Sequence, residues 1–321
     1  MAVYTEVSAE QLDGFLADYD LGSARSFKGI AEGVENSNFL LRTTSGPFIL
    51  TLYEKRVQVD DLPFFVRLLE HLASRGLTCP QPVRNRSGEA LGTLAGRPAA
   101  IVTFLDGVWV RSPGPRQCGE VGRALASLHR AGADFPMRRA NALSVDAWPT
   151  LFEAVQDRAD TVEPGLAAAV EAELVFLAGA WPRDLPEGII HADLFPDNVF
   201  FLDQRLSGLI DFYFACSDAF AYDLAICLNA WCFDTTGTFQ PARAHALLEG
   251  YAAVRRLEPR EVALFPVLAR GAALRFMLTR LVDWLNVPPG ALVRPKNPLE
   301  YWAKLRFHQR VADATVYGLA A

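Results

Sequence analysis

The stretch GIIHADLFPDNVFFLDQRLSGLIDFYFA, residues 188–215, places His191, Asp193 and Asn198 in a loop and Asp211 at the end of a second apolar run, with β-like segments before and after the loop. These residue types at this spacing meet the demands of phosphoryl transfer from a nucleoside triphosphate. Such a reaction needs an acid beside the acceptor hydroxyl, hard oxygen ligands for magnesium, and a scaffold that keeps the attacking oxygen in line with the γ-phosphate. Asp193 would accept or orient the hydroxyl proton. Asn198 offers a neutral amide oxygen to the metal, and Asp211, following Leu209 and Ile210, supplies a carboxylate. His191 reads as a packing and hydrogen-bonding residue that fixes the loop. Singly, each of the four is more economically a turn former. Together, followed by an Asp-Phe pair, they outweigh that reading. Pro196-Asp197 is an ordinary turn signal, so Asp197 takes no catalytic role.

The segment HADLFPDN, 191–198, resembles the HGDLHPGN-type catalytic motif of the aminoglycoside phosphotransferase and choline kinase superfamily, and Ile210-Asp211-Phe212 resembles its metal-binding aspartate motif. Within that superfamily the phrases ENSNFLL, FILTLYEKR, HADLFPDNVFF, LSGLIDFYFA, YDLAICLNAWCF and ALRFMLTRL are most similar to the homoserine kinases of the bacterial threonine pathway, and they span nearly the whole chain. The resemblance implies an α+β, two-lobed protein-kinase-like fold with a small β-rich N-lobe and a larger, mainly helical C-lobe. It further implies ATP and Mg2+ as cofactors and L-homoserine as the small-molecule substrate. Two alternatives stay open: a sister acceptor such as a choline-like amino alcohol or an aminoglycoside, and a nucleotide-binding module without catalysis.

Composition fits a soluble enzyme of two lobes. The 321 residues are 51% hydrophobic and 11% aromatic, enough for a sizeable core and longer than one compact domain usually runs. A net charge of −6 without any lysine or arginine block argues against nucleic acid or an anionic membrane as partner. The N-terminal segment MAVYTEVSAEQLDGFL lacks a basic stretch followed by an apolar core, and no charge-free run approaches a spanning length, so a cytoplasmic location is expected. Five cysteines without CxxC spacing read as free buried thiols.

The pattern divides the chain into a nucleotide-binding lobe, 1–104, and a catalytic and substrate-binding lobe, 105–321. Asn38 to Arg42 and Pro47 to Tyr53 read as a hairpin around a Ser-Gly-Pro turn. A helix is expected from Asp60 to Gly76, with Pro63 in its first turn and Phe64, Phe65, Leu68, Leu69 and Leu72 on one face. A second hairpin, roughly Gln81 to Thr103, leads to Phe104 and Leu105, which by resemblance form the hinge whose backbone meets adenine. Gly119 to Ala131 is a core helix on which His129 is structural.

Gly29, Gly33, Asn36, Ser37 and Asn38 form a candidate phosphate cradle, equally readable as a hairpin turn. By resemblance the following strand should carry a phosphate-contacting lysine, yet Thr51 occupies that position. Lys55, on the same strand face, is one substitute and Arg56 another, and a solvated charge cluster is the competing reading. Glu70 is the sole acid in the middle of the next helix, out of the register expected for the lysine's partner. Acceptor recognition falls to Tyr213, Asn229, Trp231, Arg275 and Asp283, the last two on one face of a helix from about Gly271 to Leu285. Core aromatics and intrahelical ion pairs are the competing reading of these five. Asp223, by resemblance, braces the catalytic loop.

Overall fold

The computed structural model describes residues 5–30, 36–54, 58–287 and 295–319. Gly33, Lys55 and Arg56 therefore lie outside the described residues. Cα proximity divides the chain into two compact units, Met1–Gly107 with Ser207–Tyr213, and Val108–Leu206 with Phe214–Ala321. The division falls three residues beyond the expected 104/105 point and returns seven residues, Asp211 among them, to the first unit. Backbone bonds explain the return: Leu209 N–H donates to Thr78 O at 3.0 Å, and Ser207 Oγ donates to Asp106 O at 2.8 Å.

The first unit is a five-stranded antiparallel sheet in the order β1-β2-β3-β5-β4, built from β1 (Ala24–Gly29), β2 (Ser37–Thr43), β3 (Gly46–Leu52), β4 (Gly92–Leu94) and β5 (Arg97–Thr103). Period-2 alternation turns Phe39 and Leu41, Leu50 and Leu52, and Ala99 and Ile101 to one face, where they share a core with Leu12, Phe15 and Leu16 of helix α1 (Ala9–Leu16). The β2–β3 register sets Phe39 opposite Leu50 and Asn38 opposite Thr51. Helix α2 (Leu62–Ser74) begins with Pro63 in its first turn and gives way to Gly76 at φ 84°, as its sequence pattern predicts. The expected 81–103 hairpin is shorter than its sequence suggests. Only Gly92–Leu94 pairs with β5, and Pro82 makes a single bridge to Val102. Pro80 and Pro82 remove donors that a longer strand would need.

The second unit is mainly helical. Helix α3 (Pro115–Ala131) packs on α7 (Pro241–Ala252), and α8 (Pro259–Leu285) packs on α6 (Phe220–Trp231) and α9 (Pro298–His308); α4 (Trp148–Glu153) and α5 (Leu166–Ala180) complete the helices with regular α geometry. Glycine permits the α3–α7 approach, because a Cβ on Gly122 would meet Leu247 O and one on Gly250 would meet Gly119 O. Two short ladders carry the functional loop. Strand β6 (Glu187–Ile190) pairs with β9 (Cys216–Ala219) from Glu187↔Ala219 to Ile190↔Cys216, and β7 (Val199–Leu202) and β8 (Arg205–Leu209) form a second sheet.

Helix α8 starts twelve residues before its expected beginning and takes Pro266 within it. At 27 residues it is long and apolar enough to cross a membrane, but 67% of its apolar window is buried in the fold, as in the core helix of a soluble protein. All five cysteines are free and buried.

One expected property follows from burial. His308 has no exposure; its Nε2 lies 3.0 Å from Asn229 Oδ1 and its Nδ1 2.7 Å from the Tyr317 hydroxyl. Burial foremost, then the charges of Lys304 and Arg270, push its pKa down to about 3. Above the ordinary histidine pKa of about 6.5 the ring is neutral in both folded and unfolded chains. As pH falls below that value the unfolded chain takes up a proton that the folded chain refuses, so stability drops. The unfolding free energy from urea titrations should hold steady from pH 8 to 7 and fall steadily below pH 6.5, by on the order of 1 kcal/mol per pH unit for this residue. His308→Gln should flatten the slope, and a flat wild-type profile down to pH 5 would contradict the assignment.

Candidate active site

The loop that follows β6 is held in a conformation its sequence does not favour. Ala192 sits at φ 61°, left-handed backbone that costs an alanine about 1–2 kcal/mol. Long-range partners hold both of its peptide groups. Its N–H donates to Asp223 Oδ1 at 2.9 Å, and its carbonyl accepts from Arg275 Nη1 at 3.0 Å. The left-handed step ends the strand alternation and turns Asp193 out of the ladder direction. Asp193 N–H then donates to His191 Nδ1 at 3.3 Å, so the fully buried His191 ring stands as an acceptor within the loop, in the fixing role read from the sequence.

Asn198 closes the turn. Its Nδ2 donates to Asp193 O at 2.8 Å and reaches Asp193 Oδ2 at 3.3 Å. With the amide nitrogen committed to Asp193, the amide oxygen is the atom left to meet a cation, as a hard oxygen ligand should. Leu194 O accepts from Trp231 Nε1 at 2.7 Å. Trp231 therefore supports the loop from α6 with a ring that has no exposure, which leaves it no face for an acceptor.

Beneath the loop lies Asp223, in the first turn of α6 and without exposure. It accepts from His191 N–H at 2.7 Å and Ala192 N–H at 2.9 Å, and its Oδ2 lies 3.0 Å from His129 Nε2. Burial raises its carboxyl pKa, but the hydrogen bonds from His129 and from the backbone N–H of His191 outweigh that and hold it below the ordinary carboxylate value. Burial likewise lowers the His129 pKa against the opposing pull of Asp223. The neutral ring thus donates from Nε2 and accepts at Nδ1 from the Tyr251 hydroxyl, 2.8 Å away. The brace implied for Asp223 is present in this geometry. Its extension through His129 on α3 to Tyr251 on α7 went unread in the sequence, where the only signal was a lone histidine on a core face.

The segment carrying Asp211 belongs to the first unit. Asp211 is also left-handed, at φ 64°, one residue past Ile210, so a turn rather than the strand itself presents its carboxylate. Tyr213, two residues on, packs edge-on to Tyr53 at 5.5 Å and to Phe65 at 5.7 Å. Burial pushes up its phenol pKa, while hydrogen bonds to Tyr53 and Thr51 oppose the shift. Thr51 itself is buried and donates from Oγ1 to Asn38 Oδ1 at 2.8 Å. A hydroxyl network therefore occupies the strand position where the resemblance called for lysine. The cradle residues are engaged in the same way. Ser37 Oγ donates to Glu54 at 2.7 Å, Asn36 Oδ1 accepts from Glu54 N–H at 3.3 Å, and Gly29 is paired with Phe39 in the β1–β2 ladder. Glu70 pairs with Arg84 at 2.7 Å. Strand pairing ends at Thr103, which leaves Phe104 and Leu105 just past the ladder, with Leu105 Cδ1 2.6 Å from where a Cβ on Gly208 would sit.

The acceptor candidates separate. Asn229 is a core residue with both ends of its amide engaged: Nδ2 donates to Ala225 O and Ala269 O at 3.1 and 3.0 Å, and Oδ1 meets His308. Asp283 is exposed near the end of α8, whereas Arg275 is 3% exposed and donates to the Ala192 carbonyl, so one helical face does not present both. Eight residues turn a helix through more than two full turns and leave the two side chains about 80° apart. Arg275 lies near Asp193, with Nη1 3.8 Å from Oδ1.

Residues 26–257 match the family model described as "Phosphotransferase enzyme family". The homoserine kinase of Methylobacterium sp. strain 4-46 is 67% identical over 318 residues, covering 99% of each chain. The chain belongs to this phosphotransferase family and, within it, to the homoserine kinases. Two solved structures of distant sequence share its fold. The amicoumacin kinase hAmiN, solved with AMP-PNP, Ca2+ and Ami, aligns with a TM-score of 0.68 at 14% identity, covering 96% of this chain and 93% of its own. The choline kinase of Cryptosporidium parvum aligns with a TM-score of 0.68 at 15% identity, covering 94% and 95%. The fold is thus α+β and kinase-like, with a small antiparallel-sheet lobe and a larger helical lobe.

Proposed function

We propose that this chain transfers the γ-phosphoryl group of ATP to the side-chain hydroxyl of L-homoserine, giving O-phospho-L-homoserine and ADP. The observation that carries this reading is 67% identity over 99% of both chains to the Methylobacterium homoserine kinase, with Asp193, Asn198 and Asp211 all in place. Asp193 takes or orients the hydroxyl proton as the oxygen attacks phosphorus. Asn198 and Asp211 are the magnesium ligands. Their donor chemistry, one amide oxygen and one carboxylate, suits an ion that draws its remaining ligands from water and phosphates. A magnesium ion held by these two residues would supply positive charge to offset what develops on the phosphates. Phe104 and Leu105 offer backbone to adenine, and the segment around Gly29 to Asn38 covers the phosphates. The protein works in the cytoplasm on a free metabolite.

A coupled assay of ADP release tests this across homoserine, serine, threonine, choline, 3-aminopropan-1-ol and an aminoglycoside, each with and without magnesium. Homoserine should exceed every other acceptor by at least about a hundredfold in kcat/KM, the discrimination a site gains from hydrogen bonds made to one substrate and not the others. A preference for choline or an aminoglycoside would move the assignment to a sister activity. ATP binding without turnover of any acceptor would make the chain a nucleotide-binding module.

A further inference from the structure

Arg275 is 3% exposed, yet its guanidinium makes one hydrogen bond among the described residues, from Nη1 to Ala192 O at 3.0 Å. The Asp193 carboxylate, at 3.8 Å, lies beyond hydrogen-bond reach. A guanidinium carries five N–H donors in a planar fork, and burying them without acceptors is costly. Aromatic faces fix the fork, with Phe276 3.8 Å and Phe214 5.4 Å from the guanidinium carbon, but a ring face does not replace an oxygen acceptor. The Tyr301 hydroxyl on α9, whose ring lies 5.2 Å from that of Phe276, is likewise fully enclosed without a partner among the described residues. The unused guanidinium donors thus lie beside a carboxylate whose own side chain is 19% exposed. An acceptor that reaches Asp193 arrives next to an under-used guanidinium, the group best shaped to take a carboxylate on two N–H bonds.

We propose that Arg275 binds the α-carboxylate of the acceptor and so restricts the reaction to amino acids over amino alcohols. The inference rests on the homoserine reading and adds to it the residue that selects the substrate class. Three carbons separate the hydroxyl oxygen of homoserine from its carboxyl carbon. That spacing lets one molecule present its hydroxyl to Asp193 and its carboxylate to Arg275. Arg275 then has two tasks on one side chain, holding the left-handed Ala192 peptide through Nη1 and reading the acceptor through the rest of the fork.

Wild-type protein and the variants Arg275→Met and Arg275→Lys are assayed with homoserine and with 3-aminopropan-1-ol, which is homoserine without its carboxylate. Wild type should favour homoserine by about 10²–10³ in kcat/KM, and Arg275→Met should bring that ratio to within about tenfold of unity, chiefly through the KM for homoserine. Arg275→Lys, which keeps a charge without the fork, should fall between. If Arg275 only held the loop, both acceptors would lose activity in parallel and the ratio would stay at its wild-type value, which would overturn the proposal. Should neither variant fold, the wild type alone decides: equal use of homoserine and 3-aminopropan-1-ol shows that the carboxylate is not read. Failure of the wild type to turn over homoserine at all overturns the functional reading and this inference with it.

Discussion

Asp193→Asn is expected to lower turnover by about 10²–10⁴-fold while changing ATP affinity only a few-fold, because it removes the proton acceptor and leaves the volume of the side chain in place. The loop should survive the change. Its shape depends on the Asp193 backbone carbonyl, which accepts from Asn198, and on the bonds to Ala192 and His191 from Asp223 and Arg275. None of those bonds uses the Asp193 carboxylate, which Asn198 Nδ2 meets at the longer distance of 3.3 Å. Steady-state kinetics with calorimetric nucleotide titration separates the two effects. Turnover within tenfold of wild type would remove Asp193 from the role of base, and a parallel loss of ATP affinity would assign it to the nucleotide site.

Asp223→Ala should be the most damaging single change to the fold. Three N–H donors, on His191, Ala192 and His129, would be left buried without their acceptor, and Ala192 would be left in left-handed backbone without one of its two restraints. Hydrogen bonds to a carboxylate are worth about 1.5–3 kcal/mol each, so a loss of about 3–5 kcal/mol is expected after partial relaxation. Urea denaturation measures it, and a loss under 1 kcal/mol would show that the brace is not needed for folding. Asp223 is depressed below its ordinary value near 3.9, so its contribution is complete above about pH 4 and disappears only as pH falls through the lower folded value. The Asp223→Ala protein should therefore lose this part of the acid sensitivity and keep the part that His308 imposes between pH 6.5 and 3.

Much of the fold was readable because its determinants are local. The β2–β3 hairpin and α2 declare themselves through alternation, helical spacing and the Pro63 and Gly76 signals, all within one window of sequence. The 81–103 region misled because β-like composition does not register that Pro80 and Pro82 withhold donors from the ladder. The division of the chain was misplaced around 207–213 because a segment's allegiance is set by bonds to Thr78 and Asp106, more than a hundred positions away. Five acceptor candidates looked alike in sequence, since a polar residue on a helix is the same letter whether it faces ligand, core or water. Burial sorted four of them, with Asn229 and Trp231 in the core, Asp283 exposed and Arg275 at the loop, while Tyr213 packs against Tyr53 and Phe65.

By itself the sequence determined the phosphotransferase family: the residues proposed for its chemistry, Asp193, Asn198 and Asp211, lie within one loop and the turn after the next strand, close enough in the chain for their spacing to be legible without the fold. Only the tertiary structure decided how that loop keeps its shape. Ala192 is held in an unfavourable backbone region by Asp223 and Arg275, which come from helices 31 and 83 positions further on. A restraint of that kind carries no local signal. It exists because α6 and α8, packed on each other by apolar faces, bring one buried carboxylate and one buried guanidinium to the two ends of the same residue.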